Sequence, residues 1–332
     1  MAEPNQKAEH VIGVDLGGTK ILAGIFTPSL KCLAKSKLTT KAERGVKDVI
    51  ARVARCARDA ADEADLSFKD VRAVAIGAPG VIDEEAGRVV YAPNLRWENV
   101  PLQKELEAEL GVPVFIGNDC QIATRGVYVA EMKSKPRNMV AIFVGTGIGG
   151  GLVIDGQLFQ GAGSTAGEIG HMVLQPEGPK CSCGNKGCFE ALASRRAIFQ
   201  RIHVAVKEGK ETLLTQTVGK DLRDLRSGDL RRAIRKGDKL VQQIVSEAAE
   251  HIGIVAANVF HLLNPEVIML GGGVIEALAE EMMDDIARVA KDHALPHTYR
   301  EKSILASSLG DNAGITGAAV TALEKSRQRP AP

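Results

Sequence analysis

No apolar run in the chain approaches the roughly 20 residues that a bilayer-spanning helix needs. The first ten residues, Met1 to His10, are polar and lack the apolar stretch of a secretory signal. There is no excess of charge of either sign. Lys and Arg total 42, Asp and Glu total 41, and the net charge is +1. That balance removes the electrostatic reason to expect nucleic acid or an anionic membrane as a partner. Cysteine is scarce as well, with six in the chain, three of them (Cys181, Cys183, Cys188) within eight residues. A cytoplasmic protein is expected. In a reducing compartment such a cluster suggests a metal before a disulfide. The scattered Cys32, Cys56 and Cys120 read as small buried apolar residues.

What is present fits two globular domains. The chain has 332 residues, 45% of them hydrophobic and 25% charged. Strands and helices alternate, which makes the class α/β. Val11 to Asp15, a turn at 16–20 and Ile21 to Phe26 predict a hairpin. Apolar positions at helical spacing predict a helix over 47–64. Val71 to Ala78 and Val114 to Ile116 predict strands, with a helix from Pro101 to Leu110 between them. Met139 to Val144, a glycine turn at 145–151 and Leu152 to Ile154 repeat the opening pattern, which suggests two related lobes. After a charge-rich stretch at 219–236, read as a surface connection or short helices, the sequence predicts a long helix from Lys239 to Leu263. A strand from Glu266 to Leu270, a helix to about Lys291, a strand from Ser303 to Ser307 and a helix from Ala313 to Glu324 complete the chain. The tail after Ser326 is expected to fray.

Three glycine-rich turns follow strands. In Asp15-Leu16-Gly17-Gly18-Thr19-Lys20, glycines let backbone N–H groups approach phosphate oxygens. Thr19 adds a hydroxyl, Lys20 a positive charge, and Asp15 an oxygen for hydrated Mg²⁺. The Walker A spacing is absent, and a tight hairpin turn alone would look the same. Gly145 to Gly151 carries five glycines in seven residues, more than a hairpin needs, which points to a ligand close to the backbone or to a flexible loop. Gly271-Gly272-Gly273 opens a helix and suits a nucleotide's ribose, base edge or phosphate.

His171 with Cys181, Cys183 and Cys188 forms a Cys₃His set. Four protein ligands leave no position for water, so a structural zinc is predicted. Glu168 and Glu190 flank this cluster, and both carboxylates suit sugar hydroxyls, although either taken alone reads as an ordinary surface Glu. Asn118-Asp119 follows a strand end. There, Asp119 either accepts a proton from an attacking hydroxyl, with Asn118 orienting the sugar, or caps a helix beginning near Gln121.

Together these pieces resemble the ROK family of sugar kinases and sugar-responsive repressors, within the actin, hexokinase and Hsp70-like ATPase superfamily. The matching marks run over about residues 10–325: VDLGGTK at 14–20, GAPG at 77–80, GND at 117–119, VGTGIGGG at 144–151, GSTAGEIGH at 163–171, CSCGNKGCFE at 181–190 and GGG at 271–273. Within the family the chain looks most like the bacterial glucokinases. The resemblance implies a two-lobed actin-like ATPase fold with mixed sheets and a ligand cleft between lobes. One lobe would be the smaller, residues 1–118 joined by a C-terminal helix at about 309–326. The other would be the larger, 119–308, with the zinc loop.

The resemblance further implies a kinase that moves the terminal phosphate of ATP, with Mg²⁺, onto the 6-hydroxyl of glucose, and a structural Zn²⁺. Asp119 would be the catalytic base. Gly77, Asn118, Glu168, His171 and Glu190 would serve the sugar, His171 doing so while also holding zinc. Asp15, Gly17, Gly18, Thr19, Lys20, Gly145, Thr146 and Gly147 would serve phosphate and Mg²⁺, and Gly271 and Gly272 the nucleoside. A homodimer or homotetramer is expected. The alternatives are a kinase of the same family for N-acetylmannosamine, N-acetylglucosamine, fructose, allose or a cyclitol, a donor other than ATP, and a non-catalytic sugar sensor. Ten residues ahead of Val11 are too few for the winged helix-turn-helix of a repressor.

Overall fold

The computed structural model describes residues 9–219 and 221–328. The expectations for residues 1–8 and for the last four residues of the tail lie outside them. Residues 327 and 328 belong to the last helix.

In chain order the elements are β1 (His10–Leu16), β2 (Lys20–Phe26), β3 (Cys32–Thr39), α1 (Val46–Asp62), β4 (Val71–Ala78), β5 (Val81–Asp83), β6 (Arg88–Ala92) and β7 (Trp97–Val100). Then come α2 (Leu102–Leu110), β8 (Val114–Asn118), α3 (Asp119–Gly126), β9 (Met139–Val144), β10 (Ile148–Ile154), β11 (Gln157–Phe159), α4 (Phe189–Ala193) and α5 (Arg195–Lys207). The rest are α6 (Leu214–Thr217), α7 (Ser227–Arg235), α8 (Lys239–Leu263), β12 (Val267–Gly271), α9 (Gly272–His293), β13 (Ile304–Ala306) and α10 (Asn312–Gln328).

The chain divides into two compact units. One comprises residues 1–135, 158–166 and 312–332, the other residues 136–157 and 167–311. The first unit thus extends past residue 118, and the two are nearly equal in length. The physical reason is α3, which packs on α10 so closely that a Cβ at Gly317 would lie 1.8 Å from the Ile122 carbonyl oxygen.

The first unit is built on a mixed sheet in the order β3-β2-β1-β4-β8. β1 runs antiparallel to β2 and parallel to β4, and β4 runs parallel to β8. Ile12, Val14 and Leu16 share one core with the buried stripe of α1, including Val49, Val53, Ala57 and Ala60. Val11, Ala73 and Ala75 share another with Ile315, Ala318, Ala319 and Ala322 of α10. A strand buried on both faces reads as a continuous apolar run, which is why β1 and β4 are visible in sequence.

The second unit carries a sheet in the order β11-β10-β9-β12-β13. β9 is antiparallel to β10 and parallel to β12, and β12 is parallel to β13. The strand–glycine turn–strand pattern of the sequence therefore opens the same sheet topology twice. Its core gathers Ile142, Phe189, Ile198, Val245, Ile252, Phe260, Leu270 and Ile286.

Several expectations change. Gly149 to Gly151 lie within β10 and not in the turn, paired with Phe143, Ile142 and Ala141 of β9, and Gly150 is glycine because a Cβ there would sit 2.7 Å from the Ala141 carbonyl oxygen and 3.2 Å from that of Gly167. α2 begins at Leu102, with Pro101 before it as the cap residue. β3, β11 and the small sheet β5-β6-β7 add strands that the sequence did not predict. β3 alternates half-buried and exposed residues and carries Lys35 and Lys37, so it has no apolar run to mark it. Cys56 is buried, but Cys32 and Cys120 are only partly so, one at the start of β3 and the other in the first turn of α3. Among the described residues no helix is long and apolar enough to cross a membrane.

Candidate active site

In the first unit the functional candidates collect at the C-terminal ends of parallel strands. Asp15 of β1 pairs with Gly77 of β4, Gly77 with Gly117, and Ala78 with Asn118 of β8. Such strand ends are where open α/β sheets place ligands. The β1–β2 turn holds Gly17, Gly18, Thr19 and Lys20, all at least partly exposed. Gly17 N–H donates to the Lys20 carbonyl at 2.9 Å, and the Thr40 hydroxyl donates to the Gly17 carbonyl at 2.6 Å. The end of β3 therefore fixes the turn. Asp15, also partly exposed, lies against α10, where a Cβ at Gly314 would meet its Cγ at 2.9 Å.

α3 starts immediately after β8. The capping residue is Asn118. Its Oδ1 accepts from the N–H groups of Cys120 at 3.0 Å and Gln121 at 3.1 Å, and its Nδ2 donates to the Gly80 carbonyl at 3.0 Å. Asp119 is left as the first helical residue, one oxygen accepting from Cys120 N–H at 2.8 Å. Asp119 keeps some surface exposure, yet protein surrounds its carboxyl enough that lost hydration pushes its pKa above the ordinary carboxylate value. The Cys120 N–H pulls the other way and is the smaller effect. Gly77 backs this group, since a Cβ there would lie 3.2 Å from the Asp119 Cα.

In the second unit two glycine turns meet. Gly272 has φ +86°, and a Cβ on it would lie 2.6 Å from the Val144 carbonyl oxygen, immediately before Gly145. Gly271 packs on the ring of Phe143. Gly145 N–H donates to the Gly147 carbonyl at 2.9 Å, and its own carbonyl accepts from Arg195 N–H at 2.9 Å. The Arg195 guanidinium also donates to the Thr146 hydroxyl. Beside Thr146 opens a cavity of about 630 Å³, lined by Arg195, Arg196, Phe199, Gln200, His203, Leu225 and Arg226.

Glu190 closes the same loop from below. It is buried; one oxygen accepts from Ile148 N–H at 3.0 Å, and the other from the Ser182 hydroxyl at 3.0 Å and from Arg196 at 3.3 Å. Gly147 has to be glycine, because a Cβ would lie 2.3 Å from that first oxygen.

The metal set is assembled as the spacing predicts. The ligand atoms of His171, Cys181, Cys183 and Cys188 lie within 4.8 Å of one another. Cys181 Sγ is 3.7 Å from His171 Nδ1, and Cys183 Sγ is 3.7 Å from Cys188 Sγ. A tetrahedron with Zn–S near 2.3 Å has edges of about 3.8 Å, so the donors fit zinc. Burial is the main cause that pushes the Cys188 thiol up to about 12, while the Asn185 N–H is the main cause that lowers Cys183. With Nδ1 turned to the thiols, His171 directs Nε2 to the other side, 4.0 Å from the Glu168 carboxylate. Glu168 is about half exposed.

Comparison with known proteins then places the chain. The model of the ROK family matches residues 11–325. The chain belongs to the ROK family. A glucokinase from Thermotoga maritima is 34% identical over 310 residues, covering 93% of this chain and 96% of its own. A xylose repressor from Caldicellulosiruptor bescii is 32% identical over 249 residues, which is 75% of this chain and 62% of the repressor. The crystal structure of a ROK family glucokinase from Streptomyces griseus, in complex with glucose and AMPPNP, superposes with a TM-score of 0.84 at 30% identity, covering 96% of this chain and 100% of that one. The fold is thus the actin-like ATPase fold of the ROK glucokinases.

Sequence reasoning missed the arginines of this ROK chain. Arg195 and Arg196 open α5, with no acidic residue in its first turn. Cations are disfavoured at a helix N-terminus by the helix dipole. Arg196 is paired with the buried Glu190, and Arg195 lies against the glycine loop at Thr146.

Proposed function

We propose that the chain is an ATP-dependent glucokinase that moves the γ-phosphoryl group of ATP to the 6-hydroxyl of glucose. The observation that carries the reading is the division of labour at the start of α3. Asn118 takes the cap, and Asp119 is left with a carboxyl whose proton affinity is raised toward that of a working general base. In the reaction the 6-oxygen attacks phosphorus, Asp119 takes its proton, and the bond from phosphorus to the bridging oxygen breaks, so that ADP leaves with the electron pair.

In the first unit Gly17, Gly18, Thr19 and Lys20 are assigned to the phosphates. Asp15 would hold Mg²⁺, which supplies charge to offset the phosphate oxygens. In the second unit Gly145, Thr146 and Gly147 are assigned to phosphate and Gly271 and Gly272 to the nucleoside. Arg195, which brackets Thr146, is added to the phosphate group, and the cavity beside it supports the nucleoside assignment. Glu168 and the Nε2 edge of His171 are assigned to sugar hydroxyls. Asn118 and Glu190 share that task while holding Asp119 and the glycine loop in place, and Gly77 acts by leaving room behind Asp119. Zinc on His171, Cys181, Cys183 and Cys188 supplies cross-linking of the loop and no chemistry. The two compact units are taken as the two lobes. The enzyme is taken to act in the cytoplasm as a homodimer or homotetramer, without nucleic acid, since its charges balance.

The test is ADP release with Mg-ATP and glucose, N-acetylmannosamine, N-acetylglucosamine, fructose and allose side by side. Glucose should win by kcat/KM. Another winner replaces glucose as the acceptor. No turnover with ATP or polyphosphate on any sugar overturns the kinase reading and favours a sugar sensor.

A further inference from the structure

We propose that Ser182 is a positioning residue: acting through Glu190, it couples the metal-tied cysteine loop to the glycine loop that meets ATP. The inference rests on the kinase reading for its kinetic part only. Ser182 sits between two ligands, Cys181 and Cys183, and is not itself one of the four. Its hydroxyl donates to one oxygen of Glu190 at 3.0 Å. The other oxygen of the same carboxylate accepts the Ile148 N–H at 3.0 Å. One rigid, planar group therefore touches both loops, and hydrogen bonds to a carboxylate are stronger than those between neutral groups.

Two features make this bridge specific. Gly147 leaves the space that the carboxylate enters, and a Cβ there would lie 2.3 Å from the oxygen bound to Ile148. Arg196 stands 3.3 Å from the oxygen that Ser182 binds, so the buried charge has a cation beside it. With Ser182 fixed by its metal-bound neighbours, Glu190 has one allowed position and Ile148 is held. With the cysteine loop untied, Ser182 moves away from Glu190, and Gly147 and Ile148 lose the restraint. Order in the cysteine loop thus reaches the ATP side as well as the sugar side.

The test compares the zinc-loaded enzyme with its Ser182→Ala and Ser182→Thr variants. Zinc content, KM for ATP, KM for glucose, Kd for AMP-PNP and amide hydrogen exchange over 145–150 are measured. Ser182→Ala should keep one zinc per chain, raise the ATP KM and the AMP-PNP Kd by about 3- to 10-fold, raise the glucose KM too through Glu190, and exchange faster at Ile148. Ser182→Thr, which keeps the hydroxyl, should restore these values. Unchanged ATP affinity together with unchanged exchange at Ile148 overturns the proposal. Loss of zinc from Ser182→Ala also overturns it, because the serine would then act in folding the metal loop. Exchange and AMP-PNP binding need no turnover, so failure of the kinase reading in the unaltered chain leaves them able to decide.

Discussion

Replacing Asp119 by Asn separates proton transfer from every other duty at that position. Asn keeps an oxygen in place of the one that accepts Cys120 N–H at 2.8 Å, and the helix cap belongs to Asn118, so α3 should form as before. The variant loses the carboxylate's charge and with it the capacity to take a proton. General-base catalysis is worth about 10²–10⁴-fold, so kcat should fall by that factor, or about 3–5.5 kcal/mol of barrier. Glucose affinity, measured by calorimetry, should survive. Stability should move the other way. Burial raises the folded-state pKa of Asp119 above its unfolded value, so the protonated group favours folding below the unfolded pKa, and that contribution is lost as pH rises through the folded pKa. At neutral pH the buried charge is a cost that Asn removes. The variant should therefore melt at the same temperature as the wild type or higher at pH 7, with the difference shrinking on acidification. In the wild type the same shift should place the acid limb of kcat/KM above the ordinary aspartate value of about 3.9. Near-normal turnover in Asp119→Asn, or parallel loss of kcat, glucose binding and melting temperature, would refute the assignment.

Two further outcomes are expected. Purified protein should contain one zinc per chain by elemental analysis; chelation should lower the melting temperature and weaken glucose binding, and zinc affinity should fall with pH because protons compete for thiols such as Cys188. Gly272→Ala should cost about 1–3 kcal/mol or more in chemical denaturation, because its φ is +86° and a Cβ would press on the Val144 backbone; an unchanged midpoint would contradict this packing.

Part of this molecule is written locally. The β1–β2 hairpin, α1 and α8 follow from short-range periodicity, because a strand or helix buried along a face needs apolar residues at fixed spacing. The metal set is nearly as local, since three of its ligands fall within eight residues and glycines let the chain fold back on itself. These signals need no knowledge of distant segments, and the structure places them as the sequence implies.

The rest depends on contacts between residues far apart in the chain. Asn and Asp both cap helices, so only the start of α3 decides that Asn118 caps and Asp119 is spared. Glu190 reads as one more carboxylate until folding brings Ile148 and Ser182 to its two oxygens. The glycines of 149–151 read as a turn until Gly167 is found against Gly150. Sequence alone determined the fold class and the Cys₃His set, because those rest on residue type and near spacing. Tertiary structure alone decided which polar groups hold the backbone, as Asn118 and Glu190 do, because a polar group buried by packing takes whatever partner the fold brings to it.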